Sequence, residues 1–462
     1  MNKYRTIAAA LAVAFMPAGV YAASGDDLQQ IRQEVNQLRQ AYEARIQELE
    51  RRLKYAEDTA SLAQNIAVQA KSTAEQATTA TRETKAPAAG SNAFNPDISL
   101  VLSGLYSSLS KDPQGYRIKN FVSGGEIGPG KRGFGLTESE LGVSANIDPW
   151  FYGALIFSIS PDDTVSAEEA FIQTTALSAG VKIKAGRFFS GVGYMNEQHA
   201  HTWDFVDAPL AYQAFLGSQF SQDGVQIKWL IPSDTYVELG AEIGSGSNFP
   251  GSEQNHNGAG AVSIFAHTGG DVGTSNSWRA GLSMLRANPQ DRLDDSNNLL
   301  GNAVTNSFYG KSRLWLADFV WKWAPNGNAS GTNLKLQGEY FRRKENGALV
   351  YDIDATASTG SYRSTQSGWY LQSIYQFMPN WRVGLRYDRL NGGSTDYGVN
   401  AATLANTGYD PHKSALMFDW TPSEFSRVRL QFARDQSRDS TADKQIFLQY
   451  QMSLGAHGGH TF

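Results

Sequence analysis

Cysteine is absent from the 462 residues. That excludes disulfides, thiol chemistry and lipidation at an N-terminal cysteine. Also missing is any apolar run of the roughly 20 residues that a transmembrane helix needs. A membrane protein without such runs must be a barrel, because only helices and closed barrels satisfy their backbone groups in lipid. Strong charge of either sign is lacking too. The formal net charge is −5 at pH 7, a mild acidity that argues against nucleic acid as a partner. No Gly-x-Ser-x-Gly elbow occurs and no catalytic constellation stands out, so the chain does not read as an enzyme. Carboxylate pairs such as Glu168-Glu169 and Asp294-Asp295 fall in loops or at strand ends, where simple solvation is expected.

What is present divides the chain. Lys3 and Arg5, the apolar stretch Ile7 to Met16, and Val20 and Ala22 at the −3 and −1 positions predict a secretory signal over 1–22. Residues 24–86 hold no glycine after Gly25 and no proline, and are rich in Ala, Gln, Glu, Arg and Leu. Their apolar positions are Leu28, Ile31, Val35, Leu38, Tyr42, Ile46, Leu49, Leu53, Ala56, Ala60, Ala63, Ala67 and Ala70. The steps alternate three and four except around Tyr42. That predicts a periplasmic coiled coil with one stutter, against the alternative of a lone solvated helix. A linker follows over 87–97.

From Ile98 the period of hydrophobicity changes to two, and the composition of the whole chain, with Trp 10, Tyr 20, Phe 23 and Pro 15, fits strands with aromatic belts. Sixteen candidate strands fall near 98–106, 138–147, 151–159, 166–175, 181–189, 223–231, 234–243, 259–267, 277–286, 312–323, 332–343, 366–377, 380–390, 411–420, 424–435 and 443–455. Short turns at Asp148-Pro149, Leu177 to Gly180, Pro232 to Asp234, Met378 to Asn380 and Thr421 to Ser423 alternate with longer loops. Short turns on one side and long loops on the other are the transmembrane-barrel pattern. Along 380–390, Trp381, Val383, Leu385 and Tyr387 alternate with Arg382, Gly384, Arg386 and Asp388. A soluble sandwich would turn that apolar side inward; the signal, the strand lengths and the loop asymmetry favour a membrane barrel over 98–462. The chain stops at Phe462 after an amphipathic strand, which resembles the signal read by barrel-assembly machinery.

Residues 190–222 differ from every other loop. Trp203, Phe205, Val206, Leu210, Tyr212, Phe215 and Leu216 are too apolar to stand in water, so they must pack against something. The same segment carries His199 and His201, with Glu197, Asp204 and Asp207 nearby. Imidazole and carboxylate together suit zinc or another divalent cation, with His199, His201 and Asp204 as the candidate ligands. The alternative is that both histidines are hydrogen-bonded loop residues. No cofactor is otherwise required. His457 and His460 form a second, weaker pair, while His256 and His267 stand alone.

Two stretches carry a resemblance: Gly186-Arg187-Phe188-Phe189-Ser190-Gly191 running on to His199–Asp207, and the ending Ser453 to His460. Both resemble a family of proteobacterial outer-membrane proteins, some labelled zinc-regulated or TonB-dependent receptors. There is no N-terminal plug domain and no room for twenty-two strands, so the chain is more similar to coiled-coil-bearing phosphate-selective and general porins. No dense Arg and Lys ladder for phosphate is present.

The porin resemblance implies that the third outer loop folds into the lumen, and that the protein is a homotrimer. Pore-constriction residues would then be Glu197, His199, His201, Trp203, Asp204 and Asp207. Pore-lining residues would be Lys182, Lys184, Lys228, Arg382, Arg386, Arg427, Arg429, Glu238 and Glu242. Basic late strands facing an acidic loop would set a transverse field. The expectation is a passive or mildly selective outer-membrane channel for small solutes or ions, linked to divalent-metal uptake, with its N-terminal segment in the periplasm. The alternative is a non-conducting protein that tethers the outer membrane to the cell wall through the coiled coil.

Overall fold

The computed structural model describes residue 54 and residues 96–455 other than 123, 161–163, 254, 256 and 440. Apart from Lys54, the signal and coiled-coil readings fall outside the described residues, as do His256, His457 and His460. All the strands belong to the unit Ala93–Phe462.

Period-two alternation becomes strands throughout. They are β1 (Asp97–Leu109), β2 (Gly133–Leu136), β3 (Ser139–Asn146), β4 (Phe151–Ile159), β5 (Val165–Thr174) and β6 (Val181–Phe189). Next come β7 (Ser221–Leu230), β8 (Tyr236–Gly244), β9 (Ala261–Val272), β10 (Asn276–Ala287), β11 (Arg292–Asn297) and β12 (Ala303–Trp323). The last are β13 (Asn333–Tyr351), β14 (Ser358–Met378), β15 (Trp381–Asp396), β16 (His412–Ser423), β17 (Ser426–Gln436) and β18 (Asp443–Gly455).

Each strand pairs antiparallel with its neighbours, and β1 closes the ring by pairing with both β18 and β3. The short β2 only adds to the edge of β1, and β11 only to β12, so sixteen strands make up the closed barrel. All sixteen expected strands are there. β12 and β14 reach 21 residues and β13 reaches 19, beyond the expected ten or so. About 9–11 residues cross a bilayer, so the excess extends past it on the loop end. There Val304, Phe308, Leu349, Tyr351, Tyr362 and Leu404 pack together. The expected turn at Thr421 to Ser423 is instead the end of β16, and the chain reverses at Glu424-Phe425.

The two faces of the wall separate as the alternation requires. Leu282, Leu371, Leu385, Leu448 and Phe418 point outward and are exposed, while Arg386, Asp388, Lys413, Arg429 and Gln431 point inward and are buried. A continuous apolar exterior of this size belongs in lipid. Trp381 and Trp420 stack near the turn end, with ring centroids 6.0 Å apart, as an interfacial aromatic belt would. The fold is a membrane-spanning barrel with a polar interior, and a soluble sandwich is excluded.

Candidate functional site

Residues 190–220, between β6 and β7, fold into the barrel; the expected loop ended two residues later, where β7 has already begun. Asn196 ties its two roots together. The Asn196 side-chain amide donates to the carbonyls of Ser190 (2.7 Å) and Phe220 (2.8 Å), and its oxygen accepts from Phe220 N at 2.8 Å. Sequence reading missed Asn196, since a buried asparagine bracket leaves no periodic signal.

The apolar part of the loop becomes a short helix, α1 (Leu210–Leu216), every residue of which is buried. Its partners are inward-facing apolar residues of the far wall, including Leu285, Leu314, Leu316, Phe341, Tyr370 and Leu390. Pro209 offers no side-chain cap, so Leu210 N donates to Asp388 on β15 at 3.0 Å. Gly217 ends the helix at φ 64°, and a Cβ there would lie 2.7 Å from the Gly124 carbonyl. Both facts demand glycine. The Tyr212 hydroxyl donates to Glu339 on β13, which also accepts from Tyr194 N at 3.0 Å.

Charge fixes the middle of the loop. Asp204 is ion-paired with Lys335 and, at 3.2 Å, with Arg382. Asp207 meets Arg386 at 3.0 Å and Lys413 at 2.9 Å. Burial pushes both carboxyls up, but these cations hold them well below the ordinary aspartate value. Arg429 donates to the Trp203 carbonyl at 2.8 Å and Arg427 to the His201 carbonyl at 2.6 Å. Arg386 and Arg429, expected to line the open pore, are 1 % exposed at their side chains and form the seat of the loop instead. Asp207 of the loop holds Arg386, and Asp419 on β16 holds Arg429 beneath the loop: a buried guanidinium stays where a counter-charge reaches it.

The first part of the loop faces another wall. Glu197 meets Lys228 at 2.6 Å, and although burial raises its pKa, the Lys228 and Lys184 charges bring it down to about 2. Lys184 lies over the Phe171 ring at 4.3 Å, whereas Lys182 is exposed. Glu238 contacts His267 at 3.2 Å, and Glu242 accepts from Gly191 N at 2.8 Å. His199 and His201 stack, centroids 5.7 Å apart, against Glu140 on β3 and Glu168 and Glu169 on β5. Burial pushes the His199 pKa down, but hydrogen bonds donated to Glu140, Glu168 and Glu169 hold it well above the ordinary imidazole value. Asp204 does not join the histidines, because Lys335 and Arg382 take it up on the opposite side.

Glu168 and Glu169 were expected to be solvated. Ile156 of β4 pairs with Glu169 and Phe157 with Ala167, so Glu168 is the extra residue of a β-bulge. Strict alternation would put consecutive residues on opposite faces; the bulge brings both to His199. Open space remains on this side only in part: a cavity of about 870 Å³ is bordered by Ser103, Glu138, Ser158, Glu168, His201 and Val206, among others.

Fold and site together define the class: a sixteen-strand membrane barrel whose third loop is anchored inside it. The chain is 30% identical over 403 residues to an uncharacterized protein of Aquifex aeolicus (strain VF5), covering 80% of each, and belongs to the same family. No protein-family model matches it. Among solved structures it is similar to a loop L8 deletion mutant of OmpT, an outer-membrane protein of Vibrio cholerae: 13% identity, 79% of this chain, 100% of that one, TM-score 0.49. It is also similar to the outer-membrane channel DcaP of Acinetobacter baumannii: 12% identity, 80% and 100% covered, TM-score 0.47. A third is OprB of Pseudomonas putida: 15% identity, 78% and 94% covered, TM-score 0.46. Scores at this level carry no functional weight; the chain's own geometry does.

Proposed function

We propose that the protein is an outer-membrane channel of porin type, passing small solutes or ions past the constriction formed by residues 190–220. The observation that carries this reading is the loop itself. It enters the lumen, is fixed by buried ion pairs at Asp204 and Asp207, and is flanked by a cavity of about 870 Å³. Sixteen strands enclose a lumen wide enough for water, and the loop narrows it while leaving that cavity open.

Selectivity follows from which charges remain uncompensated. Arg382 and Arg386 are met by loop aspartates and Arg429 by Asp419, while the cavity is bordered by Glu126, Glu138 and Glu168 against Lys131 and Arg187. That favours cations, divalent metals among them. Assembly as a homotrimer, and cell-wall contact through the expected coiled coil, belong to the same reading.

The test is purified full-length protein in planar bilayers. Discrete conductance steps in potassium chloride, with a reversal potential of cation sign in a salt gradient, are expected. A folded, inserted protein that passes no current would overturn the channel and leave the tethering role.

A further inference from the structure

The loop brings two imidazoles to a stretch of wall holding four carboxyl groups. His199 Nδ1 lies 3.3 Å from Glu140 Oε2 and 3.2 Å from Glu168 Oε2, and its Nε2 lies 3.0 Å from Glu169 Oε2. His201 Nδ1 lies 2.6 Å from Glu140 Oε1. Glu138 adjoins Glu168 through a side-chain hydrogen bond. Among the described residues, no lysine or arginine pairs with any of these four carboxyls. Elsewhere in the lumen each loop carboxylate has a cation of its own, as Asp204 and Asp207 do.

A neutral imidazole donates from one nitrogen only. With Nε2–H directed at Glu169, Nδ1 turns its lone pair toward two carboxylates. An imidazolium proton can sit between Nδ1 and these carboxylates, and a divalent cation that displaces it meets three electron-rich groups converging on one point. The separations of 3.2 and 3.3 Å are close to the edge of a coordination tetrahedron, about 3.4 Å for ligands near 2.1 Å from a zinc-sized ion. A carboxylate behind the far nitrogen is the usual partner of a ligating histidine, since it fixes tautomer and ring orientation.

We propose that Glu140, Glu168 and His199 form a divalent-cation site, with Glu169 orienting the imidazole and His201 and Glu138 beside it. The ligand atoms of the three lie within 4.8 Å of one another. Mixed nitrogen and oxygen donors without sulfur suit zinc and its first-row neighbours more than magnesium. Of the three ligands Glu168 lines the cavity, with Glu138 and His201 beside it, so an ion approaches the site from that side. Binding does not depend on the barrel conducting; only its effect on permeation rests on the channel reading.

The experiment is calorimetric titration of zinc into folded, full-length protein carrying His457→Ala and His460→Ala, which silences the second histidine pair. One ion per chain is expected, with a dissociation constant on the order of micromolar, weak enough to allow exchange. His199→Ala in that background should abolish binding, and Glu140→Gln or Glu168→Gln should each weaken it at least about tenfold. Zinc-edge X-ray absorption of the unsubstituted site should show oxygen ligands and at least one imidazole. Unchanged affinity across the three variants overturns the site, as does a spectrum without imidazole scattering. Should a variant fail to fold, that spectrum decides alone. A barrel that binds zinc but passes no current would keep the site and lose the channel.

Discussion

The two sides of the barrel hold the same loop with opposite charge, and only one of them is balanced. On β13, β15 and β16, Lys335, Arg382, Arg386 and Lys413 receive Asp204 and Asp207, and Asp388, Asp419 and Asp435 of the wall complete the balance. On β3 and β5, Glu140, Glu168 and Glu169 receive two histidines, and negative charge is left over. Paired charge in a buried seat makes an anchor, because removing either partner strands the other. Unpaired charge makes a binding surface. The loop thus carries its own division of labour: aspartates for attachment, histidines for exchange.

The strongest way to break this comparison is to remove the anchor. Asp204→Asn with Asp207→Asn takes the loop's counter-charges from Lys335, Arg382, Arg386 and Lys413, while Asp419, Asp388 and Asp435 still meet the last three, so the barrel side stays compensated and the loop loses its hold. The barrel should still fold, since its strand ladders are untouched. The loop should swing out of its seat, raise single-channel conductance severalfold and turn selectivity toward anions. Conductance and reversal potential equal to those of the unsubstituted protein would show that the aspartates do not hold the constriction.

Acid should weaken the same anchor by degrees. Asp204 and Asp207 have folded pKa values below the ordinary aspartate value of about 3.9. A depressed carboxyl contributes stability that is present above its unfolded pKa and is lost as pH falls through its folded one. Docking should therefore be unaffected from neutral pH down to about 4 and fail only below that. Limited proteolysis of the loop across a pH series, with an acid-tolerant protease, measures it. Release already at pH 5 to 6 would show that these two aspartates do not hold the loop, since the histidine pairing only gains from acid.

How much of this was legible in the sequence depends on range. Strands announce themselves locally: β4, β6 and β18 were readable to the residue, as Phe151–Ile159, Val181–Phe189 and Asp443–Gly455. The apolar loop was readable because Tyr212, Phe215 and Leu216 have no place in water. The excess length of β12 to β14 was not, because beyond the bilayer alternation no longer has to separate lipid from lumen. Nor was the proposed ligand set. Proximity in the chain groups Asp204 with His201, while Glu140 is 61 positions away in sequence and 2.6 Å away in space. Glu168 reaches the site through a bulge, which breaks the very alternation used to assign faces. Coiled-coil periodicity over 24–86 stands as an expectation, testable by sedimentation of that segment with Leu38, Leu49 and Leu53 changed to Asp.

The smallest expected effect sharpens the comparison from the acidic side. Glu138 borders the cavity and adjoins Glu168 without belonging to the proposed ligand trio. Glu138→Lys should leave the loop docked, because none of the anchoring pairs involves it. A carboxyl that shares a proton with Glu168 is replaced by a cation at the cavity, so cation preference should fall modestly. The field of that charge is screened over about 8 Å at physiological ionic strength and over about 30 Å at 0.01 M salt. The variant's reversal potential should therefore differ little from the parent's in concentrated salt and clearly in dilute salt. A shift of equal size at both ionic strengths would point to altered pore shape rather than changed charge. No shift at either would mean that permeating ions do not pass this wall, and the balanced side would then have to carry the path.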